Sequence, residues 1–87
     1  MGDAKRLSSR YAYITREGHP LWGNNPKEII ESLHEASWFP GSALDIFMKK
    51  TAVRAHIQTG KPIRGARAYK LFGDLLTAGL IRKEKTN

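Results

Sequence analysis

The chain is punctuated at Gly18, Asn25-Pro26, Pro40-Gly41, Gly60 and Gly79, so any fold must be assembled from the short segments between these points. Proline cannot continue a helix interior, and glycine enters positive φ without steric cost. Between Tyr11 and Trp22 the pattern is extended: Tyr11, Tyr13 and Thr15 alternate with Ala12, Ile14 and Arg16, and Glu17-Gly18 supplies a turn. That pattern predicts a β-hairpin. Pro20 lacks a ladder N–H and confines the return segment, His19–Trp22, to a sheet edge.

Three helices follow. The first opens at Asn25 as N-cap, with Pro26 at N1 and Glu28 three residues past the cap. Ile29, Ile30, Leu33 and Ala36 form its apolar stripe, with Glu28, Glu31 and Glu35 facing away. Pro40-Gly41 ends it, and Trp38 and Phe39 at that corner are expected to plug one end of the core. The second runs from Ser42 to about Thr59 and stops at Gly60. Leu44, Phe47, Met48, Ala52 and Ala55 make one apolar face, and Ile46, Val53 and Ile57 another nearly opposite. A helix apolar on two sides is expected to be central and packed on both. The third spans Ala66 to Ala78, burying Ala68, Leu71, Phe72, Leu75 and Leu76 and exposing Arg67, Lys70, Asp74 and Thr77. Gly73 within it suggests a close helix contact, and Leu80-Ile81-Arg82 a short strand joining the hairpin.

These elements predict a small α+β domain: an N-terminal β-hairpin packed on three helices, with a short C-terminal strand and a winged-helix or helix-turn-helix-like arrangement. The boundaries are a flexible basic arm at 1–9, one globular domain at 10–83 and a flexible tail at 84–87. At 87 residues and 40% apolar composition there is material for one modest core. With no cysteine, neither disulfides nor a zinc ribbon can staple it. No apolar run approaches the ~20 residues that span a bilayer. The first residues lack an apolar signal core, and Arg6 stands where a myristoylation motif needs Ser or Thr. The expected location is cytoplasmic, with no membrane partner.

Charge is the feature that points to function. Lys49, Lys50, Arg54, Lys61, Arg64, Arg67, Lys70, Arg82 and Lys83 face a single acid, Asp74, over 49–83, a balance of +8 in a protein of net +7. Residues 17–48 are acidic by contrast. Such crowding costs stability through self-repulsion, and a polyanion relieves it. The third helix also begins Pro62-Ile63-Arg64-Gly65-Ala66-Arg67, with no capping side chain, no acid and two arginines. Cations at a helix start oppose the dipole, unless an anion binds among them.

The expected function is therefore non-enzymatic nucleic-acid binding, DNA slightly ahead of RNA. Arg64, Arg67 and Lys70 are the candidate readers, Lys49, Lys50, Arg54 and Lys61 the phosphate contacts, and Arg82 and Lys83 additional support. The Gly60–Gly65 connection is longer than a helix-turn-helix turn and contains Pro62. Tyr11, Tyr13 and Trp22 are candidate base-stacking residues, with core packing as their ordinary alternative. His19, His34 and His56 match no metal spacing, and Thr59-Gly60-Lys61-Pro62 lacks the flanking residues of a phosphate loop. No catalytic residue, metal or cofactor is expected, a small basic nuclease being the enzymatic alternative. The runner-up is a protein-interaction module whose basic face docks an acidic partner.

Overall fold

The structure is a computed structural model describing residues 10–37 and 41–84. The 1–9 arm, the Trp38-Phe39 plug and the last three residues of the tail lie outside the described residues. Alternation in the first segment becomes β1 (Tyr11–Thr15), which pairs antiparallel with β2 (Pro20–Gly23). Gly18, at φ 94°, closes the turn, and the Thr15 hydroxyl accepts the His19 N–H. β3 (Ile81–Lys83) pairs antiparallel with the other side of β1, giving the order β2-β1-β3. Pro20 thus lies on an edge strand, where its missing N–H leaves no ladder bond unmade. The pairing continues one residue beyond β3, since the Glu84 N–H donates to the Ala12 carbonyl. Glu84 therefore belongs to the domain rather than to the tail.

Helix α1 (Pro26–Glu35) is capped from both directions. The Asn25 side chain accepts the Glu28 N–H, and Glu28 reaches back to the Asn24 N–H, both within 2.9 Å. Ile29 and Ile30 are buried as the spacing predicts, but Ala36 is exposed and Ser32 is buried in its place. Ser32 is tolerated there because its hydroxyl accepts the Trp22 N–H. The stripe therefore tilts toward β2. Gly23 is where strand and helix meet: a Cβ there would lie 2.7 Å from the Glu28 Cβ.

Helix α2 (Leu44–Thr59) begins two residues later than its sequence suggests, with Ala43 at the cap and no capping side chain. Ser42 is diverted, its hydroxyl lying 3.1 Å from His34 Nε2, while the His34 ring stacks on Phe47 at 4.5 Å. Gly60 ends α2 in the left-handed conformation, as expected. Met48, Ala52 and Ala55 enter the core. The opposite face is not packed: Ile46, Val53 and Ile57 are 47%, 60% and 76% exposed. The expectation of a central helix is overturned because the sheet and the other two helices all lie on one side of α2.

From Gly60 to Arg67 the chain forms an eight-residue strap, followed by helix α3 (Ala68–Thr77). Ile63 in the strap packs against the core, so this is not the short turn of a helix-turn-helix. α3 starts two residues later than predicted and buries Leu71 and Leu75. It ends in a Schellman arrangement, with Gly79 at φ 79° and the Leu80 N–H bonded to the Leu75 carbonyl. Gly73 makes no close helix contact; a Cβ there would meet open space. Gly73→Ala should accordingly stabilise the domain by up to about 1 kcal/mol, read as a rise in thermal midpoint, because it removes only unfolded-state freedom.

Candidate nucleic-acid interface

The strap arranges the basic residues. It touches α2 twice on the same flank: the Lys61 carbonyl lies 2.7 Å from His56 Nδ1, and Gly65 sits over Met48–Ala52. The second contact is tight enough that a Cβ on Gly65 would come within 2.8 Å of the Met48 carbonyl and 3.0 Å of the Lys49 Cα. His56 and Lys49 are two turns apart on one side of α2, so the strap runs back along that side. Lys61 is thereby laid beside His56 and the Arg64-Gly65 segment beside Lys49, with Arg67 at the cap of α3 and Lys70 in its first turn.

Arg64 is already engaged. Its Nε donates to Asp74 Oδ2 at 2.9 Å and a second guanidinium nitrogen to Oδ1 at 3.0 Å, while its backbone N–H donates to Oδ2. The side chains are 60% and 16% exposed. This bidentate fork pins the strap to α3 as Gly65 pins it to α2. The guanidinium expected to read a base edge is thus held by the Asp74 carboxylate. Asp74, the one acid of the basic stretch, is matched by its own counter-charge.

The Arg64 guanidinium and backbone N–H hold the Asp74 carboxyl below the usual carboxylate range, and the carboxylate in turn favours charged Arg64. In the unfolded chain Asp74 titrates near 4. In that range the unfolded state binds more protons, so stability rises with pH. The pair's contribution is present above about pH 4 and is lost as pH falls through the depressed folded value. Asp74→Asn should flatten that part of the curve, measured as thermal midpoint between pH 5 and 2.

The remaining candidates divide by element. Lys50 and Arg54 lie on the other flank of α2, lining a cleft of about 560 Å³ whose apolar wall includes Leu33, Phe47 and Leu80. Arg82 and Lys83 sit on edge strand β3, and the Lys83 ammonium lies 5.8 Å from the Tyr11 ring centroid. The three aromatic candidates do not form one platform. Tyr13 pairs with buried Leu21 and meets Phe72 edge-on at 5.0 Å, whereas Trp22 pairs with Ala12 on the opposite face. Tyr13 is core material, and Tyr11 shares its face.

One aromatic was missed. Tyr69 is 58% exposed between Arg67 and Lys70, with the Lys70 ammonium 5.9 Å from its ring centroid. Its signal was present, since Tyr69 falls outside the stripe formed by Ala68, Leu71, Phe72, Leu75 and Leu76. The first turn of α3 contains no acid, and no side chain caps it.

Among the described residues no group of three or more His, Asp or Glu is placed to hold a metal ion. No helix among them is long and apolar enough to cross a membrane. The sequence matches no protein-family model, and comparison with curated proteins and with solved structures likewise finds no match.

Proposed function

We propose that this domain binds nucleic acid, duplex DNA in first place, through the surface formed by the strap and the start of α3. The observation that carries this reading is the double seating of the strap on α2 at His56 and at Met48–Ala52. It lays the strap that carries Lys61 and Arg67 along the flank of α2 that carries Lys49 and leads into the α3 turn that carries Lys70, while Asp74 is neutralised within the fold by Arg64. Holding like charges together in a free protein is unfavourable, and phosphates reverse the sign of that term. The uncapped first turn of α3 offers backbone N–H donors in the same place. Tyr69 adds a flat surface for a sugar or an unpaired base.

Lys49, Lys61 and Lys70 are assigned to phosphates, and Arg67 to a groove edge or a phosphate. In a fluorescence-anisotropy titration against duplex DNA, Lys70→Ala and Lys49→Ala should each weaken binding to all sequences alike. Each should lower the log–log salt slope by about 1. Arg67→Ala should weaken binding about tenfold or more. If all three variants bind like the parent protein, this surface is not the interface.

A further inference from the structure

The outer face of α2 adjoins the interface above and shares only Lys49 with it, and its composition is unusual for a surface. Ile46, Val53 and Ile57, spaced by seven and four residues, form one stripe about 16 Å long, with exposure rising from 47% to 76% along it. Lys49 borders the stripe on the strap side, and Lys50 and Arg54 on the other, with Val53 and Ile57 on the floor of a shallow groove between them. Among the described residues none of these three cations is paired with an acid. Single exposed aliphatics are ordinary, but three in register with cations on both sides are not.

We propose that this face docks an acidic amphipathic helix of another protein. Such a helix would lay apolar residues spaced i, i+3 or i+4, and i+7 along the Ile46–Val53–Ile57 stripe, with its Glu or Asp flanks against Lys49, Lys50 and Arg54. The charges select this occupant. In a two-fold packing of α2 against α2, the lysines and arginine of both copies would line one seam and repel. A phosphate backbone would satisfy the cations but leave the aliphatic stripe against polar oxygens and water. Only a partner that is apolar in the middle and acidic at the edges satisfies both.

The test uses the full-length, isotope-labelled protein and a synthetic peptide of about 18 residues with leucines at those spacings and glutamates on both flanks. The controls are the same peptide with lysine for glutamate, and an acidic peptide of identical composition whose leucines are scrambled out of register. The expected result is saturable amide shifts confined to α2 between Ile46 and Ile57, seen with the acidic amphipathic peptide and with neither control. A Val53→Ser/Ile57→Ser variant should bind at least about tenfold more weakly with an unchanged thermal midpoint, since both side chains are already exposed. Equal binding of the scrambled peptide would overturn the proposal by showing that charge alone acts. Concentration-dependent dimerisation lost in the serine variant would assign the face to a second copy. Shifts at the stripe with duplex DNA, or with phosphatidylglycerol vesicles, in the absence of peptide binding would assign it to those ligands instead.

Discussion

Replacing Gly65 with alanine should destabilise the domain by about 1–3 kcal/mol and weaken nucleic-acid binding together with it. The new methyl group would be driven against the Met48 carbonyl, the Ala52 methyl and the Lys49 Cα at 2.8–3.0 Å. Two of these three are backbone atoms of a helix and cannot turn aside. The strap must therefore lift off α2, pulling at Ile63 on one side and at the Arg64–Asp74 fork on the other. A fall in thermal midpoint of at least about 4 °C is expected from the lower bound of that range. The same change at Gly73 has the opposite sign, because the unfolded-state gain is common to both sites and only Gly65 meets a steric wall. A Gly65→Ala protein with parental stability and parental binding would show that the strap is not seated as described.

Leu71→Ala should have the largest effect on stability. Leu71 is fully buried on the first turn-and-a-half of α3, in a cluster with Leu21 of β2, Ile29 and Ile30 of α1, and Met48 of α2. Truncation loses the transfer energy of the side chain and leaves a cavity, together about 2–5 kcal/mol. Domains of ordinary size have only about 5–15 kcal/mol in total, and this one is near the small end. The expected outcome in a denaturant titration is a large drop in midpoint, with a measurable unfolded fraction without denaturant at the upper end of the range. A change under about 1 kcal/mol would mean that this cluster is not the core.

Much of the fold was legible because its signals are local. The Asn25-Pro26 start, the Gly60 and Gly79 stops, the Gly18 turn and the edge placement of Pro20 each follow from one or two residues with fixed conformational preferences. The outer face of α2 was misread because periodicity reports that a face is apolar and not that anything covers it. Ile46, Val53 and Ile57 have the spacing of a buried stripe and yet face outward. The Arg64–Asp74 fork was invisible for a different reason. The two residues are ten apart, beyond the three- and four-residue spacings that mark helical neighbours, and they meet only because Ile63 and Gly65 dock the strap. Ser32 was missed because a buried serine needs a donor that only the β2 backbone provides.

The candidate interface was legible in its composition and not in its partition. The sequence groups the basic residues by position, whereas the fold separates the strap's Lys61 and Arg67, with Lys49 on the adjoining flank of α2 and Lys70 at the start of α3, from Lys50 and Arg54 beside the cleft and from Arg82 and Lys83 on β3. That partition distinguishes the two proposed surfaces. Variants at Lys61, Arg67 and Lys70 should alter nucleic-acid binding and spare the helical peptide, Lys50→Ala with Arg54→Ala should do the reverse, and Lys49→Ala should weaken both.

The central claim is most directly tested by fluorescence anisotropy of the full-length protein with random duplex DNA at about 50 and about 200 mM salt. Four phosphates neutralised by Lys49, Lys61, Arg67 and Lys70 predict binding at low salt that weakens about a hundredfold at the higher concentration. Absence of binding at the lower salt, or binding that the fourfold change in salt leaves unaltered, would contradict a phosphate-contacting surface.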